Sequence, residues 1–401
     1  MKARPFCWIV ALLLACAAYP AWGLDANGPS WMPRETVTDT LALFLYQDGS
    51  PQTLAYDHHG NPGIVFCDAA NVDLRYARRV PGVGWAHTVV DANGSVGWYP
   101  SLAYDRYERP AISYYNSSNG DLKFACFNGT SWNTQTVDSN GSVGRYTSLA
   151  FDVYGHPAIA YYDATNTSLK FVHDTDGDLS FLDETPVTVV NDYNEGRCTS
   201  MAFDGLNRPM VAHYDDTNDD LRFSVEEPGV GWVTTTVDNY GSSGWTPSVA
   251  INPTTGRPAI AYPRSNDLAY AEWDGTQWDI TVVDSTGTVG FNASLAFDPA
   301  DGNPAISYCD ISNENLKFAW YDGSSWHTQT VDSNGAVGRS TSLAFNDYGT
   351  GWPSIAYFDA NTSVPGHLYF IEDPPSLPEP VAAVLLALGA LGLIRRRHAR
   401  N

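Results

Sequence analysis

A segment close to Ser-Leu-Ala-Phe-Asp returns about every 48 residues, with anchors at Thr53, Ser101, Ser148, Ser200, Ser248, Ser294 and Ser342. The intervals are 48, 47, 52, 48, 46 and 48 residues. Residues 128–151 and 322–345 agree at 19 of 24 positions. A period of this length restricts the chain to a solenoid, a propeller or an array, because no single unit can cover its own apolar faces.

One unit shows how the repeat folds. Residues 148–151 read as a short strand, 157–162 as a second and 168–172 as a third, each bounded by Gly, Asn, Asp or Pro. The better-matched copy supplies a fourth at 132–137, entered through a turn at Asn128-Gly129. In the second strand Ile159 and Tyr161 face one side while Ala158 and Ala160 face the other. Neither side is polar, so the sheet needs cover on both, and large residues opposite small ones let successive sheets interlock.

Four-stranded antiparallel sheets stacked face to face around an axis make a β-propeller. The last unit offers strands at 342–345, 354–358 and 367–371, after which Pro374-Pro375 ends the pattern without a fourth strand. Residues 31–38, before the first anchor, resemble the outer strand at 132–138. The expected fold is therefore all-β: a seven-bladed propeller over residues 24–373, its last blade completed by the N-terminal strand. An open row would leave apolar faces bare at both ends.

The ends of the chain carry a different pattern. Residues 1–23 read as a signal peptide: Lys2 and Arg4, an apolar stretch at 8–15, and Ala21-Trp22-Gly23 as a small-residue exit. Leu13-Leu14-Ala15-Cys16 also resembles a lipobox, which would leave Cys16 acylated. In the tail at 374–401, Pro378-Glu379-Pro380 precedes an apolar run at 381–394 and the basic cluster Arg395-Arg396-Arg397. That order resembles the PEP-CTERM sorting signal of Gram-negative bacteria. The resemblance implies a short transmembrane helix that anchors the chain transiently in the inner membrane. It also implies processing by an exosortase and delivery to the cell surface or to an exopolysaccharide (biofilm) matrix.

Residues 24–377 hold 44 acidic and 16 basic side chains, a net charge of −28, which argues against a nucleic-acid partner. Cys67, Cys126, Cys198 and Cys309 fall in units or positions ill placed for bridging, so free buried thiols are expected, with Cys198 in a loop.

The repeats resemble sialidase/BNR-like and fungal-lectin-like propellers. Asp322-Gly323-Ser324-Ser325-Trp326 and Asn128-Gly129-Thr130-Ser131-Trp132 keep the Gly-x-x-Trp end of an Asp box. The acid or amide is adjacent to the Gly instead of two positions before it, so the resemblance covers fold and turn, not sialidase chemistry.

Two loop sets should share one face: outer strand to next blade, as at 138–147, and second to third strand, as at 163–167. At the mouth of the first set one position varies against a constant background: Trp98, Arg145, Arg197, Trp245, Phe291 and Arg339. Aromatics stack on sugar rings and guanidinium groups hold carboxylates or hydroxyls; the same residues would equally plug the channel. Asp68, Asp163, Asp215, Asp310 and Asp359 recur after the second strand, as Asx-turn caps require. Asp174, Asp176 and Asp178 alternate around Gly177 as in a calcium loop, although Thr185 stands where an EF-hand has its last Glu. Calcium is thus the one cofactor with a candidate site. No acid paired with an activated Tyr stands out, and His58, His59, His156 and His213 have no Ser or Cys partner at useful spacing. The expected function is a non-catalytic module binding glycan or protein; the alternatives are a sialidase-like glycoside hydrolase and a structural matrix spacer.

Overall fold

The computed structural model describes residues 24, 28–38, 52–346, 351–359 and 366–373. The signal peptide with Cys16, and the tail with Pro378, Glu379, Pro380, Arg395, Arg396 and Arg397, lie outside the described residues. No helix of the described residues is long and apolar enough to cross a membrane.

The described strands form seven four-stranded antiparallel sheets, numbered here as blades one to seven from the Thr53 anchor. Blade three shows the plan: Val143–Phe151 innermost, then Pro157–Asp163, Ser168–His173 and Val187–Val190. Each second strand begins with a proline, from Pro62 to Pro353. A first-residue proline costs no ladder bond. All seven residues of Pro157–Asp163 are buried. Ile159 and Tyr161 pack toward Ala111 of blade two, and Ala158 and Ala160 toward Met201 and Val211 of blade four. The large-to-small alternation thus sets the spacing between blades.

Blade seven consists of Arg339–Phe345, Pro353–Phe358, Leu368–Glu372 and, outermost, Glu35–Thr38. Glu35 lies opposite Phe370 and Thr36 opposite Tyr369, and the Met32 amide donates to the Glu372 carbonyl at 2.9 Å. The ring is closed by the N-terminal segment, as the sequence implied.

Two sets of contacts repeat around the ring and give the sequence repeat its physical meaning. The first is aromatic. The tryptophan that opens an outer strand stands nearly edge-on against a third-strand ring of the preceding blade. The six tryptophan pairs have centroids 5.0–5.4 Å apart, from Trp132 on Tyr76 to Trp278 on Phe223. Trp31 on Phe318 and Trp85 on Phe370 carry this pattern across the closure. Blade three, whose repeat is longest, uses Phe181 against Phe124 instead. Gln135 holds that insertion, accepting from the Phe181 amide at 2.9 Å and donating to the Leu179 carbonyl at 2.8 Å.

The second set is the anchor serine. Ser101 Oγ accepts from the Leu149 amide, Ser148 from Met201, Ser200 from Val249, Ser248 from Leu295 and Ser294 from Leu343, at 2.9–3.0 Å. Ser342 closes the circle by accepting from Thr53 and Leu54, both at 3.1 Å. Blade one has Thr53 at the anchor, and there the Gln52 carbonyl receives the Leu102 amide at 2.8 Å. Gln52 Oε1 also accepts from Ser101 and Ser148, and its Nε2 donates to the Met201 carbonyl at 3.4 Å, so one side chain ties the inner ends of four blades.

Cys67, Cys126, Cys198 and Cys309 are free thiols. Cys198 departs from expectation: it belongs to the inner strand Glu195–Phe203, because strand pairing continues through a bulge that the sequence disguises as a loop. Burial pushes the Cys67 and Cys309 thiols up to about 12, which leaves them unreactive.

Candidate functional site

The two loop sets do share a face. The Ser95 amide donates to Ser118 Oγ, Ser142 to Thr165 Oγ1 and Thr288 to Ser312 Oγ, each at 2.7 Å. These bonds join a loop between blades to the hairpin tip of the next blade.

Six blades deliver the variable residue through one local device. A glycine precedes it: Gly97, Gly144, Gly196, Gly244, Gly290 or Gly338, with φ of 84–97°. A Cβ there would lie 2.6–2.9 Å from a leucine Cα of the preceding blade, so no larger residue fits. The residue after the variable position also lies in the left-handed region, with φ of 47–56° at Tyr99, Tyr146, Cys198, Thr246, Asn292 and Ser340. Pairing shifts register just there, between Arg145 and Ser148 for example. Such a bulge re-aims a side chain, and backbone strain in non-glycine residues concentrates at functional sites.

Trp98, Arg145, Arg197, Trp245, Phe291 and Arg339 are all half-buried. Three of them, Arg145, Arg197 and Trp245, belong with neighbouring tyrosines to a continuous aromatic and cationic surface across blades two to five. Tyr99 packs on Tyr146 at 4.5 Å, Tyr146 on Tyr162 at 6.0 Å, and Trp245 on Tyr214 at 5.0 Å. Arg145 lies over Tyr115 at 5.5 Å and Arg197 over Trp245 at 4.8 Å. Trp98 donates from Nε1 to Ser95 Oγ at 2.9 Å, which fixes its ring. Arg197 also pairs with Asp216 at 2.7 Å. Burial alone would lower the Arg197 pKa, but Tyr146 and Asp216 raise it, so its charge is permanent. The tyrosines at 99, 146 and 162 were not singled out from sequence; the signal was the bulky residue beside the variable one.

Four of the recurring carboxylates are turn caps. Asp163 Oδ1 accepts from the Thr165 and Asn166 amides at 2.9 and 3.0 Å, and Asp215 repeats this with Thr217 and Asn218. Asp310 accepts from Asn313, and Asp68 from Ala70. Asp359 occupies the corresponding position in blade seven. The Asp322 box is also a capped turn, its Oδ1 taking the Ser324 and Ser325 amides at 2.8 Å.

Asp174, Asp176 and Asp178 bring one oxygen each to within 4.8 Å of one another. Asp174 is buried and already accepts from the Gly177 and Leu179 amides at 2.6 and 2.8 Å, whereas Asp176 and Asp178 are exposed. Burial outweighs those amides and, with the neighbouring carboxylates, raises the Asp174 pKa.

Beneath the mouth lies a buried charge cluster that spacing alone did not reveal. Asp284 accepts from Tyr308 at 2.7 Å and is bridged by Lys317; Asp91 with Tyr114 and Lys123, and Asp138 with Tyr161 and Lys170, repeat it. Burial acts to raise these carboxyls, but the lysine and tyrosine outweigh it and hold all three below the ordinary value.

No family model and no curated protein matches the chain. Among solved structures it is similar to YCF48 of Cyanidioschyzon merolae, with a TM-score of 0.52 at 10% identity, covering 84% of this chain and 98% of that one. It is similar to a Dyadobacter fermentans protein of unknown function, with a TM-score of 0.50 at 13% identity, covering 69% and 93%. The fucose-specific lectin of Aleuria aurantia aligns with a TM-score of 0.48 at 13% identity, over 72% and 96%. Likeness at such identities defines a fold class, the β-propeller, and nothing finer.

Proposed function

We propose that this protein is an exported, non-catalytic propeller that binds glycan through its loop-rich face, outside the inner membrane and after exosortase processing. The observation that carries the reading is the mouth surface, where five bulged inner strands and the loop before the blade-five inner strand present aromatic and arginine side chains beside packed tyrosines. Flat rings beside fixed cations suit the apolar faces and hydroxyls of sugars. The non-catalytic part rests on how the arginines are engaged: Arg197 is committed to Asp216 and Trp245, and Arg145 to Tyr115. The tail supports the route, since Pro378-Glu379-Pro380, the apolar run and Arg395-Arg396-Arg397 stand in sorting-signal order.

A glycan array probed with the purified protein tests the binding reading. The account expects defined glycan signals that disappear when Trp98, Trp245 and Arg339 are replaced together by Ala. Identical signals from that variant would remove the mouth as the site. Turnover of fluorogenic glycosides would overturn the non-catalytic assignment.

A further inference from the structure

Blades one to six turn from their first strand to their second through a side-chain cap, and blade three treats its cap unlike the others. In blades two and four the capping Asp gives one oxygen to turn amides and the other to a guanidinium: Asp105 with Arg109 at 2.6 Å, Asp204 with Arg208 at 2.8 Å. In blade one Arg78 reaches Asp57 from the third strand at 2.5 Å. Blade three has an imidazole in each of these places. Asp152 Oδ1 accepts from the Tyr154 and His156 amides, both at 2.8 Å. Its Oδ2 takes the Asn207 amide at 3.2 Å and faces His173 Nε2 at 3.4 Å and His156 Nδ1 at 3.8 Å.

These separations are informative. The His–Asp distances are long for charge-assisted hydrogen bonds, which close to about 2.7–2.9 Å. They match the edges of a coordination shell, since donors held tetrahedrally at about 2.0–2.1 Å from one ion stand about 3.4 Å apart. One donor atom from each residue lies within 4.8 Å of the other two. His173 Nε2 is shut off from solvent yet makes no hydrogen bond. Both imidazoles are braced by rings, His173 against Phe171 and Phe203 at 6.0 and 5.7 Å and His156 against Tyr154 at 6.0 Å. Gly177 of the acidic loop lies against the far edge of His156, where a Cβ would come within 2.5 Å of Nε2. Asp176 and Asp178, exposed on that loop, add negative potential beside the opening.

We propose that Asp152, His156 and His173 form a divalent transition-metal site of the zinc type, lying outside the loop-rich mouth. Two imidazoles and one carboxylate are the donor set such ions prefer, and calcium, which takes oxygen donors, is disfavoured there.

The test is a Co2+ titration of untagged protein at neutral pH, followed by visible ligand-field absorption and then by displacement with Zn2+. The expected result is one saturable equivalent per chain, bleached by zinc, with a rise in Tm on adding Zn2+. His156→Asn and His173→Gln should each abolish the absorption and the Tm shift while leaving the near-ultraviolet circular dichroism intact. Asp176→Asn with Asp178→Asn should retain both. Absence of saturable absorption in the native protein, or an unchanged titration in both histidine variants, would overturn the site. Binding lost in the double Asp variant but kept in the histidine variants would move it to the acidic loop and overturn it equally.

Discussion

Blades six and four have the same strands but route their buried charge differently. In blade six Asp284, at the end of the preceding outer strand, meets Tyr308 and Lys317. In blade four the corresponding outer-strand position is Val190, paired with Leu169 as Asp284 is with Leu268. Its carboxylate comes instead from Glu195, at the position Val289 fills in blade six. His213 replaces the tyrosine and Arg222 the lysine: Glu195 lies 3.0 Å from His213 Nδ1 and 3.5 Å from Arg222. Glu195 and His213 are wholly buried. What is kept is one carboxylate against one cation between blades; its position in the chain is free to move, because a buried cation without an anion is the costly state.

The largest effect should come from Glu195→Val, which removes the buried acid facing His213 and Arg222; Asp215 remains 3.7 Å from Arg222. Urea unfolding should show a loss of about 3–5 kcal/mol. Adding Val190→Asp restores the blade-six arrangement and should recover most of it. A double variant no better than the single would break the equivalence of the two layouts. Lys317→Met tests the other side, and a loss of about 3 kcal/mol is expected from the stranded Asp284. Ser148→Ala, which unpairs the buried Met201 amide, should cost about 1–3 kcal/mol. Tyr308→Phe removes one hydrogen bond from Asp284 and should cost about 1 kcal/mol.

Acid sharpens the same contrast. Asp91, Asp138 and Asp284 have folded pKa values below their unfolded ones. Their stabilisation is therefore fully present above the ordinary carboxylate value and is lost as pH falls through the folded values. Stability of the native protein should decline below about pH 4. In Lys317→Met the share due to Asp284 should vanish, giving a shallower decline; an identical pH slope would contradict the pairing.

Much of this architecture was legible in the chain. Residues 31–38 announced the closing strand because Trp31 repeats the tryptophan of the other outer strands, and a repeat exposes a missing copy. Asp163 and Asp215 were readable as turn caps because an Asx turn is local. The six mouth positions were visible as variation on a constant background, but not their tyrosine underlay, since Tyr99, Tyr146 and Tyr162 meet only across blades. The exchange of Val190 with Glu195 escaped notice because its compensation lies five residues away in sequence and on another strand. His156 read as an isolated turn histidine for a similar reason: His173, its neighbour in space, comes from the third strand.

The account stands on ring closure through the N-terminal segment, and a double-mutant cycle between Trp31 and Phe318 measures it. Trp31→Ala and Phe318→Ala, made singly and together, should show a coupling of about 0.5–1.5 kcal/mol in urea unfolding, as the Trp232–Phe171 seam should. Strictly additive losses at Trp31 and Phe318, beside a coupled Trp232–Phe171 pair, would mean that the chain's first strand does not complete the seventh blade.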